Sequence, residues 1–140
     1  MSKSTNLNFA QNINSAGVAY SNSDSAATLK TLYTASANDA VVKAINVIST
    51  DTSARVFDLV INDGSADYWI ASVSIPATAG TTGAIATVDM LGGTLMPSLP
   101  FDSTGKRILP MKATHLLKVR NVAQLTSGKV VNFWCVVEEY

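Results

Sequence analysis

Strand-length apolar runs alternate with turn signals at short, regular intervals between Thr31 and Pro76. This spacing is typical of an all-β domain. Two of the runs, RVFDLVIN and ADYWIASVSI, flank Asp63-Gly64-Ser65. An Asp-Gly step between such runs favours a hairpin, because both residues adopt positive φ at low cost. The stretch contains no His, Cys or Glu, so it shows no candidate site for chemistry.

The rest of the chain extends this series of strands. Its 140 residues fit one domain, which at this size buries about two thirds of its unfolded surface without metal or disulfide help. Propensity and turn cues predict about eight strands, which favours a sandwich or a barrel. The predicted strands are Leu29–Thr34, Val41–Thr50, Arg55–Asn62, Tyr68–Ile75, Ile85–Val88, Arg107–Leu109, His115–Val122 and Lys129–Glu138.

Alternation within the strands predicts which side chains form the core. In RVFDLVIN the predicted core residues are Phe57, Leu59 and Ile61. Tyr68, Ile70 and Trp134 fall on the opposite, nominally outer faces of their strands, and such an excess of apolar residues favours partial coverage by another subunit. The predicted inner sets of the strands Tyr68–Ile75 and Lys129–Glu138 are Trp69, Ala71, Val73 and Ile75, and Val131, Phe133, Cys135 and Val137.

Residues 1–27 differ in composition from residues 28–140, the predicted sandwich domain. They are rich in Ser, Asn and Ala and show no sustained strand or helix period. The sequence therefore predicts an extended N-terminal arm. Two interpretations stay open: a flexible terminus, and an arm that orders against a neighbouring subunit. The apolar residues that favour the second are Leu7, Phe9, Ile13, Val18 and Tyr20.

Between Ala77 and Pro110 the strand pattern loosens into a long excursion. It holds three of the four prolines and five of the eight glycines. Loops of this length in a compact domain are usually functional, and in a protein without chemistry that function is contact with a partner.

The residues needed for catalysis or metal binding are scarce. Both need several His, Cys or carboxylate groups at one point, whereas His115 and Cys135 are each the only residue of their type. We predict a structural role for His115 and a buried thiol for Cys135. Asp58, Asp63 and Asp67 lack the spacing of a calcium loop and are predicted to be solvated charges. We therefore expect no catalytic residue, no metal site and no cofactor.

The charge balance favours protein partners. Ten basic residues offset ten acidic ones, and charged residues make up only 14% of the chain. No broad field steers such a protein to nucleic acid or keeps its copies apart. We expect no nucleic-acid partner, and no membrane partner either, because no apolar run approaches the ~18 residues of a membrane span. The N-terminus also lacks the apolar core of a secretion signal.

Several segments resemble small virion proteins of tailed bacteriophages. The segments are TLYTASANDAVVKAINVISTDTSARVFDLVINDG, VSIPATAGTTG and LMPSLPFDSTGKRILPMKATHLLKV, followed by a last strand that ends in EEY. The resemblance covers Leu29 to Tyr140. It is strongest to the capsid cement, or decoration, proteins of short-tailed phages of the Bordetella phage type.

This resemblance implies a fold, a function and a location. The fold is a jelly-roll-like antiparallel β-sandwich that forms a homo-oligomer, commonly a dimer. The function is to bind the capsid exterior of a virion made in the host bacterial cytoplasm, and to bridge major capsid protein subunits. The expected contact residues are Leu7, Phe9, Ile13, Tyr68, Leu95, Met96, Leu99, Phe101 and Trp134.

Two other classes of protein compete with this interpretation. A receptor- or glycan-binding module of a phage tail or fibre would stack Trp69 or Tyr68 on sugar rings, but the chain has no fibre repeat and no heptads. A small jelly-roll enzyme of the cupin kind would need two or three His with a carboxylate. The single His disfavours that class.

Overall fold

The structure, a computed structural model, describes residues 10–92 and 95–140. Within these ranges the chain forms nine β-strands and no helix. The strands are β1 (Asn12–Ser21), β2 (Leu29–Thr34), β3 (Ala40–Ser49), β4 (Arg55–Asn62), β5 (Asp67–Ile75), β6 (Val88–Asp89), β7 (Leu109–Met111), β8 (Leu116–Asn121) and β9 (Val130–Glu139).

The strands form two antiparallel sheets. One has the order β1-β9-β3-β6, with β7 also pairing with β3, and the other has the order β2-β8-β4-β5. One hydrophobic core joins them, and at its centre the rings of Tyr20, Phe57 and Phe133 meet edge to face at centroid distances of 4.8 to 5.9 Å. This arrangement is a β-sandwich. The predicted all-β class is confirmed, while the jelly-roll assignment stays a prediction.

Local sequence cues locate the long strands well. Leu29–Thr34 and Arg55–Asn62 agree to the residue, and the other four long predictions differ by one residue at one or both ends. The two short strands of the excursion overlap their predictions by a single residue each. Short strands at a sheet edge depend on their partner strand β3 more than on their own propensity.

Asn12–Ser21, predicted to lie in an arm, is instead a strand of the sandwich. It pairs along its whole length with β9, from Asn12 opposite Glu139 to Ser21 opposite Val130. Val18 and Tyr20 point inward, and Gly17 and Ala19 point outward. Small outward residues give little hydropathic contrast, which is why the period-2 pattern was hard to detect. Leu7 and Phe9 lie outside the described residues.

The predicted faces of β5 are wrong before Ala71, because a β-bulge interrupts the strand there. Leu59 pairs with Ala71 and Val60 pairs with Trp69, so Ile70 is an extra residue on β5. The bulge reverses the inward and outward alternation beyond it. Trp69 therefore lies on the outer face of its sheet beside Val60, and not with Val73 and Ile75 in the core. Tyr68 and Ile70, predicted to be outer, are not: Tyr68 pairs with Ile61 on the core-facing side, where it is exposed at the end of the sheet, and Ile70 packs partly buried against the core.

Candidate protein-contact surface

The outer face of the β1-β9-β3 sheet is apolar and nearly uncharged. Because paired residues in neighbouring strands point to the same side, the register defines the rows of this face. We call it the Trp134 face; its residues are Ile13, Ser15, Gly17, Ala19 and Ser21 of β1, Val130, Asn132, Trp134, Val136 and Glu138 of β9, and Val41, Ala44, Asn46 and Ile48 of β3. Glu138 bears a charge at one end of these rows, and the row of Trp134 and Asn46 continues to Asp89 of β6, which forms an ion pair with Lys106 at 3.8 Å.

Trp134 lies at the centre of this face between Gly17 and Asn46. Half of its surface is exposed, as is most of Ile13 (51% and 75%). A Cβ atom at Gly17 would lie 2.9 Å from Cε3 of Trp134 and 3.2 Å from the carbonyl oxygen of Phe133. The indole therefore packs on the bare backbone of β1, in contact that a larger residue at position 17 would displace. A shallow, open depression lined by Gly17, Ala19 and Asn132 lies beside it.

The outer face of the other sheet has a different character, because its polar groups are already paired. Asp58, predicted to be solvated, is buried there, and its Oδ2 accepts hydrogen bonds from Arg120 Nε and Nη2 at 2.9 and 2.7 Å. Ser72 Oγ donates to Oδ1 at 2.6 Å, and Trp69 Nε1 donates to Oδ2 at 3.2 Å.

Two opposing effects set the ionisation of Asp58. Burial raises its pKa, but the hydrogen bonds from Ser72, Arg120 and Trp69 outweigh this effect, so the pKa lies below its ordinary value. The carboxylate therefore stays charged and paired. This face also has exposed apolar residues: Val56 lies opposite Ser74 of β5 and, on its other side, next to Val122, which is exposed as well.

The excursion forms a second exposed region. The ring of Phe101 is 59% exposed and stacks on the guanidinium of Arg107 at 4.4 Å, and Arg107 Nη1 donates to the carbonyl oxygens of Pro97 and Leu99. A salt bridge of 3.1 Å between Lys43 and Asp102 fixes the next turn to β3. These contacts hold Phe101 in place although the segment has little regular structure.

The predicted contact residues separate into several places. Ile13 and Trp134 share the Trp134 face, Leu95 and Phe101 are exposed in the excursion, and Tyr68 is exposed near the turn of the β4-β5 hairpin. Met96 is buried and Leu99 packs partly buried against the core, so neither offers a free side chain. The sequence reasoning missed Gly17, Asn46 and Asn132 as neighbours of Trp134; a glycine inside a strand, which often marks a close approach, was the available signal for the first of them.

The described residues contain no cluster of three His, Cys, Asp or Glu side chains able to hold a metal ion. The Cys135 side chain is buried in the core, as predicted, and burial raises the pKa of its thiol to about 11. A protonated, enclosed thiol is a poor nucleophile. Nor does the described part of the chain include a helix able to span a membrane.

Comparisons with known proteins leave the function open. No protein-family model matches the chain, and no curated protein matches it. Among solved structures, the chain is similar to a chain of a cyanophage Pam1 capsid asymmetric unit, with a TM-score of 0.49 and 11% identity over 99% of this chain and 92% of that one. A similarity of this degree carries no information about function.

Proposed function

We propose that this protein is a non-enzymatic structural protein of a bacteriophage virion, which binds the outer surface of the capsid and cements major capsid protein subunits. The observation that carries the proposal is the Trp134 face. It is a sheet surface with exposed Ile13, Val130 and Trp134, and its charged residues, Glu138 and Asp89, lie at its margins. The sequence resemblance of Leu29 to Tyr140 to phage cement proteins supports the choice of a capsid as the partner.

The composition of this face fits a protein partner. The centres of protein interfaces are poor in charged residues and rich in aromatic ones, and a central Trp is often the residue whose loss costs most affinity. The face also contains Asn46, Asn132 and Ser15, whose side chains supply hydrogen bonds without the desolvation cost of a charge.

Binding to an assembled shell stabilises that shell by mass action. A protein that binds the expanded capsid and not its unassembled subunits lowers the free energy of the expanded state by its own binding free energy. Bridging of subunits also needs a second contact. We propose Leu95, Phe101 and Tyr68 as candidates, because their side chains are exposed. Leu7 and Phe9 stay proposed contacts as well.

A glycan-binding role, the alternative, finds less support in the geometry. Tyr68 and Trp69 are adjacent residues of β5 and point to opposite sides of the strand. Trp69 is also engaged by Asp58 and lies under the guanidinium of Arg120 at 5.0 Å. The two rings therefore do not make one stacking platform.

Co-sedimentation with empty, expanded heads of the same phage tests the proposal. The wild-type protein is expected to sediment with the heads. Trp134→Ala removes the centre of the face and is expected to weaken binding at least about tenfold. Trp69→Ala is the matched control, because Trp69 has a similar exposure (56%) on the opposite sheet.

Two outcomes would contradict the proposal. One is that the wild-type protein fails to bind the heads at all. The other is that Trp134→Ala binds as tightly as Trp69→Ala while both variants keep the wild-type circular dichroism spectrum, which would mean that the Trp134 face is not the contact.

A further inference from the structure

β5 is an edge strand whose outer side is unpaired within the described residues. It pairs with β4 alone, and no backbone hydrogen bond of residues 10–92 and 95–140 is formed on its other side. Within β5, the segment Ala71–Ile75 has no charged residue and no proline. Natural proteins usually protect such an edge with a charge, a proline or a covering loop. The bulge at Ile70 protects only the part of β5 before Ala71.

The register shows which backbone groups face outward. The amide of Val122 donates to the carbonyl oxygen of Val56 at 3.1 Å, so Val56 directs its backbone groups away from β5. In an antiparallel pair, the residue opposite such a position directs its own N–H and C=O away from the shared side. Ser74 is opposite Val56, and Ser72 lies two residues earlier. Both serines therefore present their backbone N–H and C=O at the open edge.

The other sheet edges are shorter, interrupted or partly occupied by charged groups. The ammonium of Lys30 donates to the carbonyl oxygen of Ala19 at 2.7 Å, and the N–H of Ser21 donates to Asp24 Oδ2 at 2.9 Å. Charged groups therefore occupy the last part of β1, whereas its first part, among the described residues, pairs with β9 alone. β2 has six residues and is interrupted by a register shift after Thr31. β6 and β7 have two and three residues, and β7 contains Pro110.

We propose that β5 pairs with β5 of a second copy of this chain, antiparallel and centred on Val73. This register is self-complementary. Ser72 faces Ser74 of the second copy and Ser74 faces its Ser72, so each of these two pairs exchanges both backbone hydrogen bonds. Val73 faces Val73, and Ala71 faces Ile75. The pairing brings no like charges together, and it satisfies the backbone groups that are open in the monomer.

The symmetry of this pairing fixes the orientation of the two sandwiches. Two identical strands that pair antiparallel in one sheet are related by a two-fold axis perpendicular to that sheet, and such an interface buries the same patch of both copies. The β1-β9-β3 sheets then lie on the same side of the joined sheet, so both Trp134 faces point in the same direction. If the proposed capsid function holds, on which this last step rests, the dimer grips one surface at two points and gains effective concentration.

The proposal is tested by sedimentation velocity of the full chain over about a hundredfold range of concentration, because the fraction of dimer increases with concentration by mass action. The wild-type protein is expected to dimerise. Ser74→Pro deletes the outward N–H without removing a hydrogen bond of the sandwich, and is expected to be monomeric. Ser74→Thr, the matched control, keeps the N–H and the hydroxyl group and is expected to dimerise as the wild type does.

Ser74→Lys tests the same pairing if the proline variant does not fold. It places a charge at the open edge and is expected to raise the dimer dissociation constant at least about tenfold. A wild-type protein that stays monomeric throughout overturns the proposal. So does a dimer that both Ser74→Lys and a folded Ser74→Pro leave intact.

Head binding separates this proposal from the function proposed above. Monomeric Ser74→Pro is expected to bind heads more weakly and to dissociate faster than the wild-type protein, whereas Trp134→Ala is expected to dimerise normally and bind poorly. A wild-type dimer that ignores heads contradicts the capsid function alone. A monomeric wild-type protein that binds heads contradicts the β5 pairing alone.

Discussion

Single residues determine the character of the two outer faces. Gly17 lets the indole of Trp134 rest on the backbone of β1, since any Cβ there would come within 2.9 Å of the ring. On the opposite sheet, Asp58 collects Ser72, Trp69 and Arg120 into one hydrogen-bonded group. One face thus has an exposed indole packed on bare backbone, whereas the indole of the other face belongs to a hydrogen-bonded group around a buried carboxylate.

Glu139 gives the clearest prediction of acid sensitivity. Its carboxylate is buried and accepts hydrogen bonds from the hydroxyl groups of Tyr33 and Ser36, which join the end of β9 to β2 and the loop that follows it. The Tyr33 hydrogen bond is the main reason that the pKa of Glu139 lies below its ordinary value of 4.5. Because the pKa is lower in the native state than in the unfolded state, the ionised carboxylate stabilises the fold at pH values above the unfolded-state pKa. This stabilisation is lost as the pH falls through the native-state pKa.

Urea unfolding of the wild-type protein and Glu139→Gln between pH 7 and pH 3 measures this effect. Glu139→Gln is expected to cost about 1 kcal/mol at pH 7, and the cost is expected to shrink as pH falls below 4.5. Glu138→Gln is the matched control, because Glu138 is next to Glu139 in the chain but lies on the outer face of the sheet. A cost for Glu139→Gln that is the same at both ends of the pH range would refute the assignment.

At the scale of elements, β1 and β5 show where local sequence cues reach their limit. The small outward residues of β1 conceal its alternation, and the extra residue Ile70 reverses the alternation of β5. In both cases the decisive fact is the partner strand. Pairing with β9 makes β1 a strand although its local pattern is weak, and pairing with β4 places Trp69 on the outer face.

Truncation tests the position of β1 in the sandwich. Removal of residues 1–21 takes Tyr20 out of its ring cluster with Phe57 and Phe133 and leaves one side of β9 unpaired. Loss of a buried aromatic side chain alone costs about 3–5 kcal/mol. We therefore expect this variant to lose the cooperative urea transition of the wild-type protein, as monitored by near-UV circular dichroism.

Removal of residues 1–9 is the control for that truncation. It keeps every contact described for β1, so the cooperative transition is expected to persist. The same shorter variant tests the proposed contacts of Leu7 and Phe9, because a loss of head binding in a folded protein locates them in the interface. A cooperative transition in the longer deletion would show that β1 is dispensable.

At the scale of the whole molecule, balanced charge predicts an association that depends little on salt. The chain carries ten basic and ten acidic residues, and the described ion pairs include Asp58–Arg120 and Lys43–Asp102. Contacts through an apolar face are screened far less than contacts between opposite charges. The affinity for heads is therefore expected to change less than about threefold between about 50 and 500 mM NaCl.

Co-sedimentation over that salt range checks the prediction, with a basic DNA-binding protein as a reference for strong salt dependence. A loss of binding by a factor of ten or more at the higher salt concentration would indicate a contact through Lys and Arg side chains. The Trp134 face would then not be the main capsid contact.

The sequence by itself determined the all-β class, the β4-β5 hairpin and the positions of the long strands other than β1. Alternation, β-branched residues and turn residues are local properties that hardly depend on the rest of the chain. Only the tertiary structure decided that Asp58, Glu139 and Met96 are buried and that β1 completes a sheet. Burial and register depend on residues far apart in the chain, and a local pattern does not contain that information.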